Sequence, residues 1–251
     1  MRVWDNQQAT KVGWFVGILE GEGTFDLRSN CICISNLDLS IIESCEKFLK
    51  SHNIWFVRDT FFRNGRNEYV LRVSNSGREI FQYATLLYEL ILPSLECRLN
   101  EYQQLIGAST TTRDPSIDLD WLTGIFEAEG SFSLTLDYRK NAALAISMNN
   151  TNERIINKVT LNLDSICCGY HIRDKVKRKS HFKTAQIISV TGMKRCYKFL
   201  SLMEGKWISK RYARMADSIL TFINSRLSHS YLDPYTEREL RLIQSTIDLN
   251  R

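Results

Sequence analysis

The chain has 251 residues, 43% of them hydrophobic and 24% charged, with 33 Lys and Arg against 28 Asp and Glu. This is the composition of a globular protein long enough to bury one or two cores, and it excludes a low-complexity or collagen-like chain. The formal net charge of +5 leans toward an anionic partner. No apolar run approaches the ~20 residues of a membrane span, so no membrane association is expected.

The opening stretch MRVWDNQQATK holds no apolar core of a secretory signal, and no targeting segment is legible in it. A helix is predicted over 11–20, ending in the acids of GILEGEG, with Gly23 at the turn that stops it. Strands follow, the second being CICIS, then a helix LSIIESCEKFL capped by Asp38, then strands near 55–63 and 68–74 and a closing helical segment. GASTTTRDPSID, 107–118, is small, polar and proline-bearing and reads as a linker.

The order then repeats. A helix is predicted over 119–127, with Gly130 at its turn. SFSLTLDYR, 131–139, alternates strictly between apolar and polar. ALAIS is the next strand, NERIINKVTLNL a helix capped by Thr151 or Asn152, and 170–178 and 183–190 are two more strands. YTERELRLIQSTIDL, 235–249, adds a tail helix. The expected organisation is α+β: a first repeat over 1–106, the linker, and a second repeat with its tail over 119–251, each an αββαββα unit with a four-stranded antiparallel sheet.

The two copies match most closely around the first helix. Trp14, Gly17, Ile18, Glu20, Glu22, Gly23, Phe25 and Leu27 correspond to Trp121, Gly124, Ile125, Glu127, Glu129, Gly130, Phe132 and Leu134. Two repeats are too few for a solenoid and suit a pseudo-dimer fused into one chain, expected to be monomeric. Gly13, Gly17 and Gly21 fall four apart, as do Gly124 and Ala128, a spacing that lets two helix backbones approach closely. The expectation is that the two helices pack together with Glu22 and Glu129 side by side below the junction. Carboxylates there face the negative end of the helix dipole and repel each other, which makes sense if a cation such as Mg²⁺ sits between them. Such an ion beneath a phosphate suits phosphodiester hydrolysis. Glu20 and Glu127 lie on another side of their helices and read as braces of the helix pair. The seven cysteines include no C-x-x-C pair and read as buried thiols of a reducing, intracellular compartment.

FVGILEGEG and LTGIFEAEG resemble the two motifs of the single-chain LAGLIDADG homing endonucleases, and the repeat covers the chain from about 12 to 225. The resemblance implies two αββαββα units with saddle-shaped sheets, packed through the motif helices and gripping a long, near-palindromic double-stranded DNA site. It implies Mg²⁺-dependent cleavage of both strands across the minor groove (Mn²⁺ serving as a substitute), leaving short 3′ overhangs. The metal set is then Glu22 and Glu129 with their neighbours Gly21 and Ala128. Asn36 and Lys210 (chosen over Lys206) join the two acids as catalytic residues. The counterpart of Asn36 by alignment is Met148, with Asn149 and Asn150 beside it. In the first copy the comparable cation is Arg98. Some members bind intron RNA, which is retained as a second partner, and an organelle matrix is open as the location.

The sheets are expected to carry recognition, since a two-stranded ribbon fits the major groove. In the second copy Arg173, Lys175, Lys177 and Lys179 share one strand face, with Lys183 nearby. In the first, Arg58, Arg63, Arg66 and Arg72 surround an Asn64-Gly65 turn. Arg28, Arg139 and Lys140 end the first strands and face the same side. Two other readings stand beside the nuclease: a splicing cofactor or RNA binder that has lost cleavage, and a DNA-binding regulator without chemistry. Acids at both Glu22 and Glu129 weigh against the regulator, because binding alone does not need a repulsive pair.

Overall fold

The computed structural model describes residues 6–26, 31–52, 54–73, 118–136, 141–175, 184–228 and 234–249. The linker 107–118, apart from Asp118, and the closing helical segment expected in the first repeat lie outside them. Contacts divide the chain into two compact units, Met1–Ala128 and Glu129–Arg251. The helix opening the second repeat therefore groups, up to Ala128, with the first unit.

The first unit begins with α1 (Asn6–Glu22), which runs straight into β1 (Gly23–Asp26). β2 (Cys31–Asn36) leads to α2 (Leu39–Ser51), then β3 (Val57–Arg63) and β4 (Arg66–Val73). The strands form one antiparallel sheet in the order β1-β2-β4-β3. Ile32 and Ile34 of β2 and Leu71 and Val73 of β4 are buried on one face. α2 turns Ile41, Ile42, Cys45, Phe48 and Leu49 into the core, and Phe48 stacks on Phe15 of α1 at 4.4 Å. The side chain of Asp38 caps α2 by accepting from the Ser40 N–H at 2.9 Å. α3 (Leu119–Glu129) completes the packing of this unit as far as Ala128.

The second unit repeats the order: β5 (Gly130–Leu136), β6 (Ala142–Asn150), α4 (Glu153–Ser165), β7 (His171–Lys175), β8 (Ala185–Thr191), α5 (Met193–Leu202), α6 (Lys210–Leu227) and α7 (Glu237–Leu249). Its sheet has the same antiparallel order, β5-β6-β8-β7. Asn152, of the two residues proposed, is the cap of α4. The alternation read in 131–136 is observed, with Phe132 and Leu134 buried. Both acid-bearing helices run two residues further than expected, so Glu22 and Glu129 are their last residues and the glycines that follow open strands directly.

The tail helix α7 packs on α6 and on the edge strand β5. Its Glu239 is fully buried. Burial acts to raise its pKa, but the Thr236 N–H and hydroxyl, the Ser225 hydroxyl and Arg226 at 3.7 Å outweigh it and hold the carboxyl below its ordinary 4.5. A carboxyl whose pKa is lowered by folding stabilises the native state fully above the unfolded value and loses that contribution as pH falls through the folded one. Acid titration followed by circular dichroism is therefore expected to show a destabilising step below about pH 4.5 that is absent in Glu239→Gln.

Candidate metal centre and nucleic-acid interface

The site is built on a close contact between α1 and α3. A Cβ added to Gly17 would lie 2.4 Å from the Trp121 carbonyl oxygen and 2.7 Å from the Ile125 nitrogen; one added to Gly124 would lie 2.2 Å from the Trp14 carbonyl oxygen. Only hydrogen fits between these backbones. Gly13 faces the side chain of Asp118, which caps α3 through the Asp120 and Trp121 N–H groups. Moving from Gly13–Asp118 to Gly17–Gly124 advances along both helices in the same sense, so they run parallel, and Gly21 and Ala128 come at corresponding ends.

Two buried carboxylates fasten this crossing. The Trp14 indole N–H donates to Glu127 at 2.6 Å, and the Trp121 indole N–H donates to Glu20 at 2.6 Å. Both acids are 1% exposed, and each has its donor on the opposite helix. The bracing role read for Glu20 and Glu127 has this physical form. Burying a carboxylate without a donor costs several kcal/mol, so the paired tryptophans and acids fix the helix register.

Glu22 and Glu129 differ from these. Both are half-buried, each at the C-terminal end of its helix. Glu22 accepts from the Asn36 side-chain amide at 3.0 Å. Asn36 is itself held, because its carbonyl oxygen accepts the Asp38 N–H at 2.7 Å. Burial pushes the Glu129 carboxyl above its ordinary pKa. The register relocates one expected equivalence. Gly23 pairs with Ile34, and Gly130 pairs with Met148. Met148 is thus the counterpart of Ile34, and that of Asn36 is Asn150, whose oxygen accepts the Asn152 N–H at 2.8 Å in the same way.

In the second unit Lys210 is exposed at the first position of α6, whose N-cap is Ser209. Tyr212, one turn in, donates its hydroxyl to the Gly130 carbonyl at 2.6 Å and packs edge-on against Phe132. The start of α6 is thereby tied to the residue that follows Glu129. This tie was not foreseen; its signal in the sequence is an aromatic in KWISKRYARM just after the candidate lysine. Lys206 is half-buried in the turn before α6. Arg98 lies outside the described residues.

Carboxylate and carbonyl oxygens are the hard donors that Mg²⁺ takes. Among the described residues no three or more His, Cys, Asp or Glu side chains converge. Where Mg²⁺ is held by few protein carboxylates, water and phosphate oxygens complete its shell. The half-buried Glu129, pushed up by desolvation, is the kind of carboxylate that a cation relieves.

The sheet faces divide the basic residues. Strand pairing puts Arg63, Arg66 and Arg72 on the face opposite the core, all exposed. Asp59 lies 3.2 Å from the Arg72 Nε and Glu68 lies 3.3 Å from Arg63. Such exposed pairs add little stability, but each orients a guanidinium. Arg58 stands opposite buried Leu71, on the other face, and pairs with Glu46 of α2 at 3.0 Å. In the second unit Ser131, Ser133, Thr135, Ala143, Ala145 and Ser147 line the corresponding face, with exposed Arg173 on the edge strand β7. The backbone of Lys175 shares that register; its side chain, and Arg28, Arg139, Lys140, Lys177, Lys179 and Lys183, lie outside the described residues.

No family model matches the chain, and neither does any curated protein. Solved structures do match. The LAGLIDADG meganuclease I-AabMI, bound to uncleaved DNA, is similar at a TM-score of 0.63 and 19% identity over 94% of this chain and 98% of its own. The LAGLIDADG homing endonuclease I-SmaMI, bound to cleaved DNA, gives 0.57 and 14% over 93% and 95%. I-GzeII, a LAGLIDADG homing endonuclease in complex with its DNA target, gives 0.56 and 15% over 93% and 96%. The fold is that of the LAGLIDADG homing endonucleases. The two matched stretches of the sequence fall on α1 and α3, and Glu22 and Glu129 are the last residues of these helices.

Proposed function

We propose that the chain is a site-specific DNA endonuclease that hydrolyses one phosphodiester in each strand of a long, near-palindromic duplex. Cleavage runs across the minor groove and leaves short 3′ overhangs. The observation that carries this reading is the matched placement of Glu22 and Glu129, half-buried as the last residues of two parallel helices in a fold whose solved relatives are bound to DNA. A binding module has no use for two carboxylates at helix C-termini beside a polyanion.

Glu22 and Glu129 would hold Mg²⁺, with Gly21 and Ala128 adjoining; Mn²⁺ is expected to substitute. An ion held there would supply neutralisation of phosphate charge and a more acidic water for in-line attack. Asn36 fixes the Glu22 carboxylate through its amide. Lys210 presents a cation at a helix N-terminus, where developing negative charge is favoured. Arg63, Arg66, Arg72 and Arg173 meet phosphates and base edges from the outer sheet faces.

A randomised duplex library incubated with the protein in Mg²⁺, with the new ends sequenced, tests the proposal. Fragments sharing a long motif and a fixed 3′ stagger are expected. Absence of new ends, with RNA rather than duplex DNA retained in Ca²⁺, would replace the reading by that of an intron-RNA binder.

The tie between Tyr212 and Gly130 makes a second test. A hydrogen bond contributes about 1 kcal/mol net, so Tyr212→Phe should fold with a slightly lower melting temperature. Loosening the start of α6 displaces Lys210 and slows one strand cut. A supercoiled plasmid carrying the target is expected to accumulate as nicked circle before linear product forms.

A further inference from the structure

We propose that Cys31 and Cys33 form a chelating dithiol that takes a soft, thiophilic metal or metalloid on the outer face of the first sheet. The two residues are alternate positions of β2 and so point the same way. Their sulfurs lie 3.6 Å apart. Cys31 is buried, whereas Cys33 is half-buried and gives the pair its opening to solvent. Cys33 stands directly opposite Arg72, and Cys31 opposite Asp26.

Geometry favours a bridging atom over a disulfide. Alternate residues of a strand are about 6.7 Å apart, at the far end of the Cα spacing that a disulfide accepts. A bridging atom bound to both sulfurs needs no such closure. Thiolate pairs select soft ions, monovalent copper above all among those of biology, and they select trivalent arsenic for the same reason. The other described thiols are placed less well. Cys45, Cys168 and Cys196 are buried, the pKa of Cys196 pushed up to about 12 by that burial, and Cys167 is exposed beside a buried neighbour; Cys97 lies outside the described residues.

Phenylarsine oxide is the probe. Two arsenic–sulfur bonds form, the arsenic–oxygen bond breaks, and the two thiol protons leave with that oxygen as water. Arsenic stays trivalent, so no oxidant is required. Intact-mass analysis of the folded, full-length chain should show a single adduct that ethanedithiol removes and a monothiol does not. Cys33→Ser, at a half-exposed position that tolerates the change, should lose the adduct. The double variant Cys167→Ser, Cys168→Ser should keep it. An adduct retained by Cys33→Ser, or lost only in the double variant, overturns the assignment.

The consequence for DNA rests on the nuclease reading. An arsenical bridging these sulfurs adds bulk beside Arg72 on the face assigned to recognition, and the loaded protein is expected to lose duplex affinity at least tenfold. Loading without loss of affinity overturns the recognition role of that face and leaves the chelation intact; absence of loading overturns the chelation and leaves recognition intact.

Discussion

Replacing Glu129 with Gln is expected to abolish double-strand cleavage while duplex affinity stays intact or improves, and Glu22→Gln should do the same. A carboxylate that holds the catalytic ion contributes several kcal/mol of transition-state stabilisation, which corresponds to a loss on the order of 10³-fold or more. Affinity is spared because the lost charge repelled phosphate in the first place. Gel-shift binding in Ca²⁺ beside cleavage in Mg²⁺ separates the two quantities. Binding lost together with cleavage would make these acids structural.

The same substitution carries an opposite sign for stability. Burial raises the Glu129 carboxyl above its ordinary value of 4.5 in the folded chain. Above that value the unfolded chain gives up the proton more readily than the native one, so the native state is penalised at neutral pH and the penalty vanishes in acid. Glu129→Gln removes it, and the variant is expected to melt higher than the parent when both are metal-free. Mg²⁺ should raise the melting temperature of the parent and raise that of Glu129→Gln less. Equal shifts in the two proteins would place the ion elsewhere.

Gly17→Val is the second large effect, and it falls on folding rather than chemistry. The new Cβ would start 2.4 Å from the Trp121 carbonyl oxygen, 2.7 Å from the Ile125 nitrogen and 2.9 Å from the Gly124 Cα. All three are backbone atoms of α3 that cannot rotate away, and branching adds two more carbons. Ordinary overpacking costs 1–3 kcal/mol because side chains yield; here the helices must separate, and a loss above about 3 kcal/mol is expected from a total of roughly 5–15. Urea denaturation measures it. Gly13→Ala is the control, since the three atoms nearest its Cβ all belong to the side-chain carboxylate of Asp118. It should cost no more than the loss of a cap, about 1 kcal/mol.

The helix pair was legible because small residues, acids and tryptophans recur at fixed spacing in both copies, and a close helix crossing constrains that spacing directly. The catalytic equivalences were less so. Matching ISNLD to ISMNN by its shared Ile-Ser put Asn36 opposite Met148, two residues short of Asn150. Side chains in a strand alternate with a period of two, so a slip of two keeps every apolar residue inside, and no hydrophobic pattern detects it. Only the pairing of Gly130 with Met148 fixes the register. Arg58 illustrates a different limit. VRDTFFR carries an exposed arginine on each face, Arg58 and Arg63, so no apolar alternation tells which of them looks toward α2. The tie from Tyr212 to Gly130 joins residues 82 positions apart, a distance over which spacing carries no signal.

The crossed tryptophans also supply an internal clock for the helix pair. Both indole protons are enclosed within the crossing and held by carboxylates at 2.6 Å. Neither can exchange with deuterated water until α1 and α3 part. Side-chain signals of Trp14 and Trp121 should therefore decay together, at the rate of the deepest opening rather than of surface fraying. Those two indole resonances would thus report, without label or ligand, how often α1 and α3 separate.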